Sequence, residues 1–221
     1  MHPEFWLERW QRNEIGFHQD RPHPALEAHW ARLGLNGGER VFVPLAGKSR
    51  DMAWLAQHGF SVLGVELSRV AVEAFFAEAH LTPETDSLTT NAPQPLLKYA
   101  GAGITLLCGN FFDLTVEQIG RFGAVFDRAA LVALPPAMRR DYAEQMLRLS
   151  PPGTKTLLVT LEYDQERMPG PPHNVSESEV RALFGTRYRV ELLARTNQLA
   201  DFPKFAKAGV DHLSESVWLL A

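Results

Sequence analysis

The chain has 221 residues, of which 45% are apolar and 22% charged, with a formal net charge of −4 and a single cysteine, Cys108. That length predicts one domain over 1–221, the charge offers no basic surface for a phosphate backbone, and one cysteine excludes an internal disulfide. Met1 to Trp10 carries Glu4 and Glu8 and lacks the apolar stretch of a secretory leader, and no apolar run approaches ~18 residues; a cytoplasmic monomer without nucleic-acid or membrane partners is the expectation.

In HPEFWLERWQRN the residues Phe5, Trp6 and Trp10 recur at near-helical spacing, so a short amphipathic helix is predicted. A loop follows from Ile15 to Pro22, then a helix over 24–33 that stops at Gly34. Val41, Phe42 and Val43 read as a strand buried on both faces. Ser49 to Gln57 is predicted helical and Phe60 to Val65 a second buried strand; Ser68 can cap a helix reaching about His80. This β-α-β-α order predicts a parallel sheet with helical crossovers. Residues 81–103 show no period and read as a surface excursion. Strands are expected at 104–108, 123–127 and 155–163. Between the last two, Pro135 and Pro136 open a helix ending near Leu149. Residues 150–153 form a turn and 164–174 a loop. Ser176 with Glu179 three positions on predicts a capping box. Tyr188–Leu193 and Ser216–Leu220 can close the sheet as an antiparallel pair. Seven strands are therefore expected.

Ligands of open α/β sheets bind at the carboxyl ends of the strands. There the loop after the first strand holds Gly47, and the second strand ends in Glu66, nineteen positions later. A carboxylate so placed can accept hydrogen bonds from a ribose diol, and a glycine lets the backbone approach a nucleoside. PLAGKSRDM contains one glycine, so the G-x-G-x-x-G cradle for a pyrophosphate is missing. GKS is no phosphate loop either, because Phe42 stands where that motif needs a glycine. S-adenosylmethionine carries no phosphate and fits these features. Asn110 and Phe111, after the 104–108 strand, are placed to hold an adenine by hydrogen bond and stacking, although Phe111 and Phe112 can equally be core. Trp10 can face a sulfonium or pack inward with Trp6.

The segments RVFVPLAGKSRDMAWLAQHGFSVLGVELS, NFFDL, FDRAALVALPPAMRRDY, LLVTLEYDQERMPGPP and WLERWQRNEIGFHQ together resemble thiopurine S-methyltransferases of the bacterial type, in order and at matching spacing along nearly the whole chain. The resemblance implies the α/β class I S-adenosylmethionine-dependent methyltransferase fold, Rossmann-like. Its sheet is seven-stranded and mostly parallel, with helices on both faces and an N-terminal cover over residues 1–35. It implies S-adenosyl-L-methionine as donor, S-adenosyl-L-homocysteine as product and a small thiol as acceptor. Trp10, Leu45, Gly47, Glu66, Asn110, Phe111 and Arg128 are then the expected cofactor side, and Phe17, Arg128 and Lys204 the substrate side. Arg128 can bind the donor's carboxylate or an acidic substrate group, and spacing does not decide which. His173 and Lys204 depart from the animal members, which carry an aromatic residue and an arginine there; a lysine is a point charge, not a bidentate fork.

Methyl transfer needs alignment of reacting atoms at about 3–3.5 Å more than it needs a base, since a thiol of pKa ~8.5 is already partly ionised at neutral pH. His18 and Asp20 are the weak candidates for a proton acceptor. Cys108 lies inside an apolar strand and is expected to act as a small hydrophobe. The histidines show no ligand spacing, so no metal is expected. Selenium or tellurium compounds are further implied acceptors. A halide, thiocyanate or hydroxyl metabolite as nucleophile, a nicotinamide-dependent oxidoreductase, and a cofactor-binding domain without catalysis stand as alternatives.

Overall fold

The computed structural model describes residues 3–88 and 95–221. Five apolar runs form its middle: β1 (Arg40–Val43), β2 (Ser61–Glu66), β5 (Ile104–Cys108), β6 (Ala124–Arg128) and β7 (Lys155–Glu162). They are parallel and lie in the order β5-β2-β1-β6-β7. Order reverses at β1, so the loops after β1 and β6 leave opposite sides of a crevice at the carboxyl edge, the usual ligand position. β9 (Ser214–Leu220) pairs antiparallel with β7, and β8 (Val190–Asn197) with β9.

Among the described residues the sheet has nine strands, not seven. The additional pair, β3 (Glu84–Leu88) and β4 (Leu96–Gly101), comes from the stretch read as a surface excursion and extends the sheet antiparallel beyond β5. β3 is almost wholly exposed and reads ETDSL, so no apolar alternation announces it; its backbone pairs because β4 offers an open edge. Positions 89–94 of that excursion, like Met1 and His2 of the first predicted helix, lie outside the described residues.

Alternate side chains of the central strands feed two cores. Phe42, Leu63, Val65, Leu107, Val125, Leu158 and Trp218 point to one face, under α5 (Val116–Ile119), α6 (Pro136–Leu149) and α7 (Glu177–Phe184). Val41, Val43, Val62, Leu106, Phe126, Leu157, Val159 and Val217 point to the other, under α2 (Pro24–His29), α3 (Arg50–Gln57) and α4 (Arg69–Glu78). Trp218 is fully buried and donates from Nε1 to Thr160 Oγ1 at 2.9 Å, so its one polar atom is satisfied.

Local chemistry sets the helix ends. Ser49, Ser68 and Ser176 cap α3, α4 and α7 through their hydroxyls, and Gly34 ends the second helical segment in the left-handed region, φ 58°. The capping box at Ser176 is only half formed. Glu179 sends its carboxylate instead to Arg139 Nη1 at 2.7 Å, because a guanidinium buried in α6 needs an acid more than an exposed helix start does. A complete box occurs at Thr115–Gln118, opening α5. Residues 24–33 do not cover the site as expected of a 1–35 cover. Leu26, Trp30 and Leu33 are core residues of the second face, and among the described residues before β1 only α1 (Pro3–Gln11) and the loop after it border the crevice.

Candidate active site

A cleft of about 390 Å³ opens at the carboxyl edge of the sheet, between the loops after β1, β2, β5 and β6, under α1. Trp10, Phe17, His18, Leu45, Gly47, Glu66, Asn110, Phe111, Arg128 and Lys204 all border it. Asp20 does not. Its carboxylate is fully exposed, 3.8 Å from His18 Nε2 and outside the cleft lining, so it is not placed to take a proton from a ligand there.

The floor is built around Glu66, the last residue of β2, 6% exposed. Gly47 N–H donates to its Oε2 and Ser68 N–H to its Oε1, both at 2.8 Å. Burial raises the carboxyl above its usual value, and these two donors oppose that shift. Each oxygen keeps one lone pair, which is the disposition a vicinal diol requires. Gly47 adopts φ +54°, and a Cβ there would stand 3.2 Å from the Trp10 ring. The glycine therefore lets Trp10 close over the loop. Trp10 meets Phe17 edge-on at 5.6 Å, as does Trp6.

Two loop residues carry backbone strain where the cleft needs it. Leu45 (φ 45°), after β1, and Ala129 (φ 64°), after β6, occupy the left-handed region without being glycine, at a cost of order 1 kcal/mol each. Both border the cleft.

The adenine-side pair is arranged differently from expectation. Phe111 is 1% exposed and packs against Phe42 and Tyr142, so its ring belongs to the core. The half-buried neighbour Phe112 also borders the cleft and is the ring free to stack. Asn110 uses its side chain locally, Oδ1 accepting from Phe112 N–H at 3.2 Å and Nδ2 donating to Asp113 at 3.1 Å; this fixes the turn that carries Phe112. An apolar pair after a strand cannot tell which ring turns inward.

Arg128 ends β6 half-buried, and its guanidinium has no hydrogen-bond partner among the described residues. The preceding Asp127 points to the opposite face, where it accepts from Tyr142 OH at 2.7 Å and Leu131 N–H at 3.3 Å. Burial pushes its carboxyl from 3.8 to about 6. A raised carboxyl makes the native state hold a proton that the unfolded chain has released, so this contribution is present below about pH 4 and is lost as pH rises through about 6. Asp127→Asn should therefore be more stable than the parent at pH 7.5, by about 1–3 kcal/mol, and this advantage should vanish near pH 4. Urea unfolding at the two pH values checks this; an equal difference at both would show that charge is not the cause.

His18 is kept below its usual value by burial and then by Lys48. Both favour the neutral imidazole. Burial, then the neighbouring Glu66, pushes the Cys108 thiol up to about 11, so it remains protonated, as a small hydrophobe should. Lys204 is lowered by burial and by Arg9. Arg9, Trp6, Met138, Pro171 and Pro172 also border the cleft and were not expected there. Arg9 and Trp6 sit on the helix read as amphipathic, Trp6 one turn before Trp10 and Arg9 next to it. The prolines come from the GPP segment, whose return to the site is a tertiary event without a local signal. Among the described residues no group of three His, Cys, Asp or Glu could hold a metal ion.

A parallel sheet reversing at β1, an acid ending β2, and a cleft with an aromatic cover define the class: the chain is a class I S-adenosylmethionine-dependent methyltransferase by fold. Solved structures agree. A Burkholderia thailandensis 1,6-didemethyltoxoflavin-N1-methyltransferase with bound S-adenosylhomocysteine superposes with TM-score 0.64 at 18% identity, over 99% of this chain and 87% of that one. A Haemonchus contortus phosphoethanolamine N-methyltransferase 2 gives 0.64 at 13%, over 91% and 53%. Within the class, the family description thiopurine S-methyltransferase (TPMT) matches residues 1–221. Proteins named thiopurine S-methyltransferase are 47% identical in Nitrosospira multiformis, over 100% of this chain and 98% of the relative, and 48% identical in Methylococcus capsulatus over the same shares. The chain belongs to the thiopurine S-methyltransferase family.

Proposed function

We propose that the chain transfers the methyl group of S-adenosyl-L-methionine to the sulfur of small aromatic or heterocyclic thiols, acting as a monomer through a cleft formed by one chain. The carrying observation is the pairing, in one cleft, of the backbone-braced Glu66 with the unpartnered Arg128. The residues present fit the donor. Glu66 offers two lone pairs to a ribose diol, Phe112 a ring face to the adenine, and the turn at Gly47 a close backbone approach under Trp10. When bound, the donor supplies a methyl group on a positively charged sulfur, the leaving group of an in-line displacement.

The chain's own contribution is alignment and exclusion of water. Trp6, Trp10 and Phe17 wall the mouth, and Arg9, Arg128 and Lys204 border it. These cations favour an ionised sulfur over a neutral thiol, which lowers the need for a base. Among the described residues His18 is the one imidazole on the cleft wall. As a general base it would contribute about 10²–10⁴-fold; as a wall residue, far less. We expect His18→Ala to keep more than about a tenth of the parent kcat, and the pH–rate profile to follow the ionisation of each thiol used. A profile identical for thiols of different pKa, together with collapse of the His18 variant, would restore a base mechanism.

The direct test incubates the protein with labelled S-adenosylmethionine and a panel of thiols, selenols, hydroxyl compounds, halide and thiocyanate. Label transfer to aryl thiols supports the proposal. Transfer only to halide or a hydroxyl would replace it. No described helix is long and apolar enough to cross a membrane.

A further inference from the structure

Arg128 shares a sheet face with Phe126, toward α2, α3 and α4. Its register row crosses Val159 on β7 to Val217 on β9, and both valines belong to that face. Glu215, two residues from Val217, is the next side chain on the same face and pairs with Leu161, one step further toward the carboxyl edge. There it meets His23 Nε2 at 3.2 Å. The same His23 is also met by Asp51, in the first turn of α3 and 3% exposed. Its Oδ1 accepts from His23 N–H and its Oδ2 from Ser49 Oγ–H, both at 2.6 Å.

Asp51, buried, and Glu215, half-buried, thus come together at His23 on the sheet face of Arg128, and each is tied by hydrogen bonds to groups other than the guanidinium. Neither makes an ion pair with it within 4.0 Å among the described residues. Both nevertheless favour its charge, Asp51 more than Glu215, against the effect of burial. The arrangement separates two properties that an ion pair combines. The positive charge is balanced, while all the N–H donors stay free for a ligand. The reason for such a separation lies in the donor. An uncompensated guanidinium in a cleft would repel a sulfonium, and a guanidinium locked in an ion pair would have no donors left to orient anything.

We propose that Asp51 and Glu215 are positioning residues that balance the charge of Arg128 without occupying its donors, so that the cleft tolerates a cationic sulfonium beside a guanidinium. This rests on the reading of the cleft as a site for S-adenosylmethionine. The readout is the ratio of affinities for cationic S-adenosylmethionine and neutral S-adenosylhomocysteine, measured by titration calorimetry. In Asp51→Asn and Glu215→Gln, each of which keeps the hydrogen-bonding shape, the ratio should fall against the cation by about threefold to tenfold, the scale of one charge–charge interaction in a partly screened interior. Adding Arg128→Gln to either variant should restore the parent ratio, because the repelling charge is then gone. A merely structural role would weaken both ligands equally and leave the ratio unmoved, which would overturn the proposal. So would a ratio that stays low after Arg128 is neutralised. Glu215 takes no part in the Ser49–Asp51 cap of α3, so its variant carries the test if the Asp51 variant folds poorly. If the parent protein binds neither ligand, it is the methyltransferase reading that fails.

Discussion

Glu66→Gln should weaken binding of S-adenosylmethionine and S-adenosylhomocysteine alike, by about 30- to 100-fold. Hydrogen bonds to a charged acceptor contribute about 1.5–3 kcal/mol each, and Glu66 is braced to offer two. Its oxygens already take N–H from Gly47 and Ser68. An amide can present only one acceptor oxygen, so either the Gly47 or the Ser68 N–H would face an NH₂ group. The loop would have to shift as well as the ligand contact weaken. A ligand lacking the ribose 2′-hydroxyl separates these effects. If Glu66 holds the ribose, removing the hydroxyl should cost the parent protein affinity and cost the variant almost nothing further. Fully additive losses would mean that Glu66 acts only through the loop. The pH dependence has a definite sign. Burial raises this carboxyl, so the acceptor form is lost on acidification at a higher pH than for an exposed glutamate. Affinity in the parent should fall as pH is lowered through that raised value, and the glutamine variant should show no such fall.

Glu66 was legible in the sequence because two local signals coincide there, a buried strand and an acid nineteen positions beyond a glycine. Most of the expected strands form for the same kind of reason, as apolar runs that have to be buried whatever their neighbours do; β8, reading VELLARTN and half-buried to exposed, is held by its pairing with β9 instead. What was not legible depends on partners distant in sequence. β3 has no pattern of its own and exists through its pairing with β4. The choice between Phe111 and Phe112 is made by Phe42 and Tyr142, which fill the core on one side only. Arg9 and Pro172 reach the cleft because α1 and the segment after β7 fold back over it. The seat of Arg128 is the extreme case. Asp51, His23 and Glu215 come from three elements and meet only once the sheet is complete. The resemblance implies a cover over residues 1–35, yet Leu26, Trp30 and Leu33 are buried against the sheet.

Gly64→Val should both unfold the protein at lower temperature and detach the fold from its ligand. Gly64 lies in the middle of β2, between Val43 on β1 and Leu106 on β5. A Cβ at this position would stand 2.5 Å from Leu106 Cδ2 and 3.1 Å from both Ala46 Cβ and Met52 Sδ. Leu106 can turn its end away at some cost, but Ala46 has no such freedom. It is held to the sheet by its N–H, which donates to Val65 O at 2.8 Å, and Met52, on α3, is fully buried. Overpacking of this kind costs about 1–3 kcal/mol for a small addition and more for a branched side chain. At about 2–4 °C per kcal/mol for a chain of this size, the melting temperature should drop by roughly 6–12 °C. Relief must come from lifting the loop that carries Leu45, Ala46 and Gly47, and that loop supplies the N–H that braces Glu66. The fraction that remains folded should therefore bind S-adenosylhomocysteine at least about tenfold more weakly, an effect that simple loss of stability does not produce. Wild-type affinity in the folded fraction would show that Leu106 alone absorbs the added methyls and that the loop is anchored independently of the sheet beneath it.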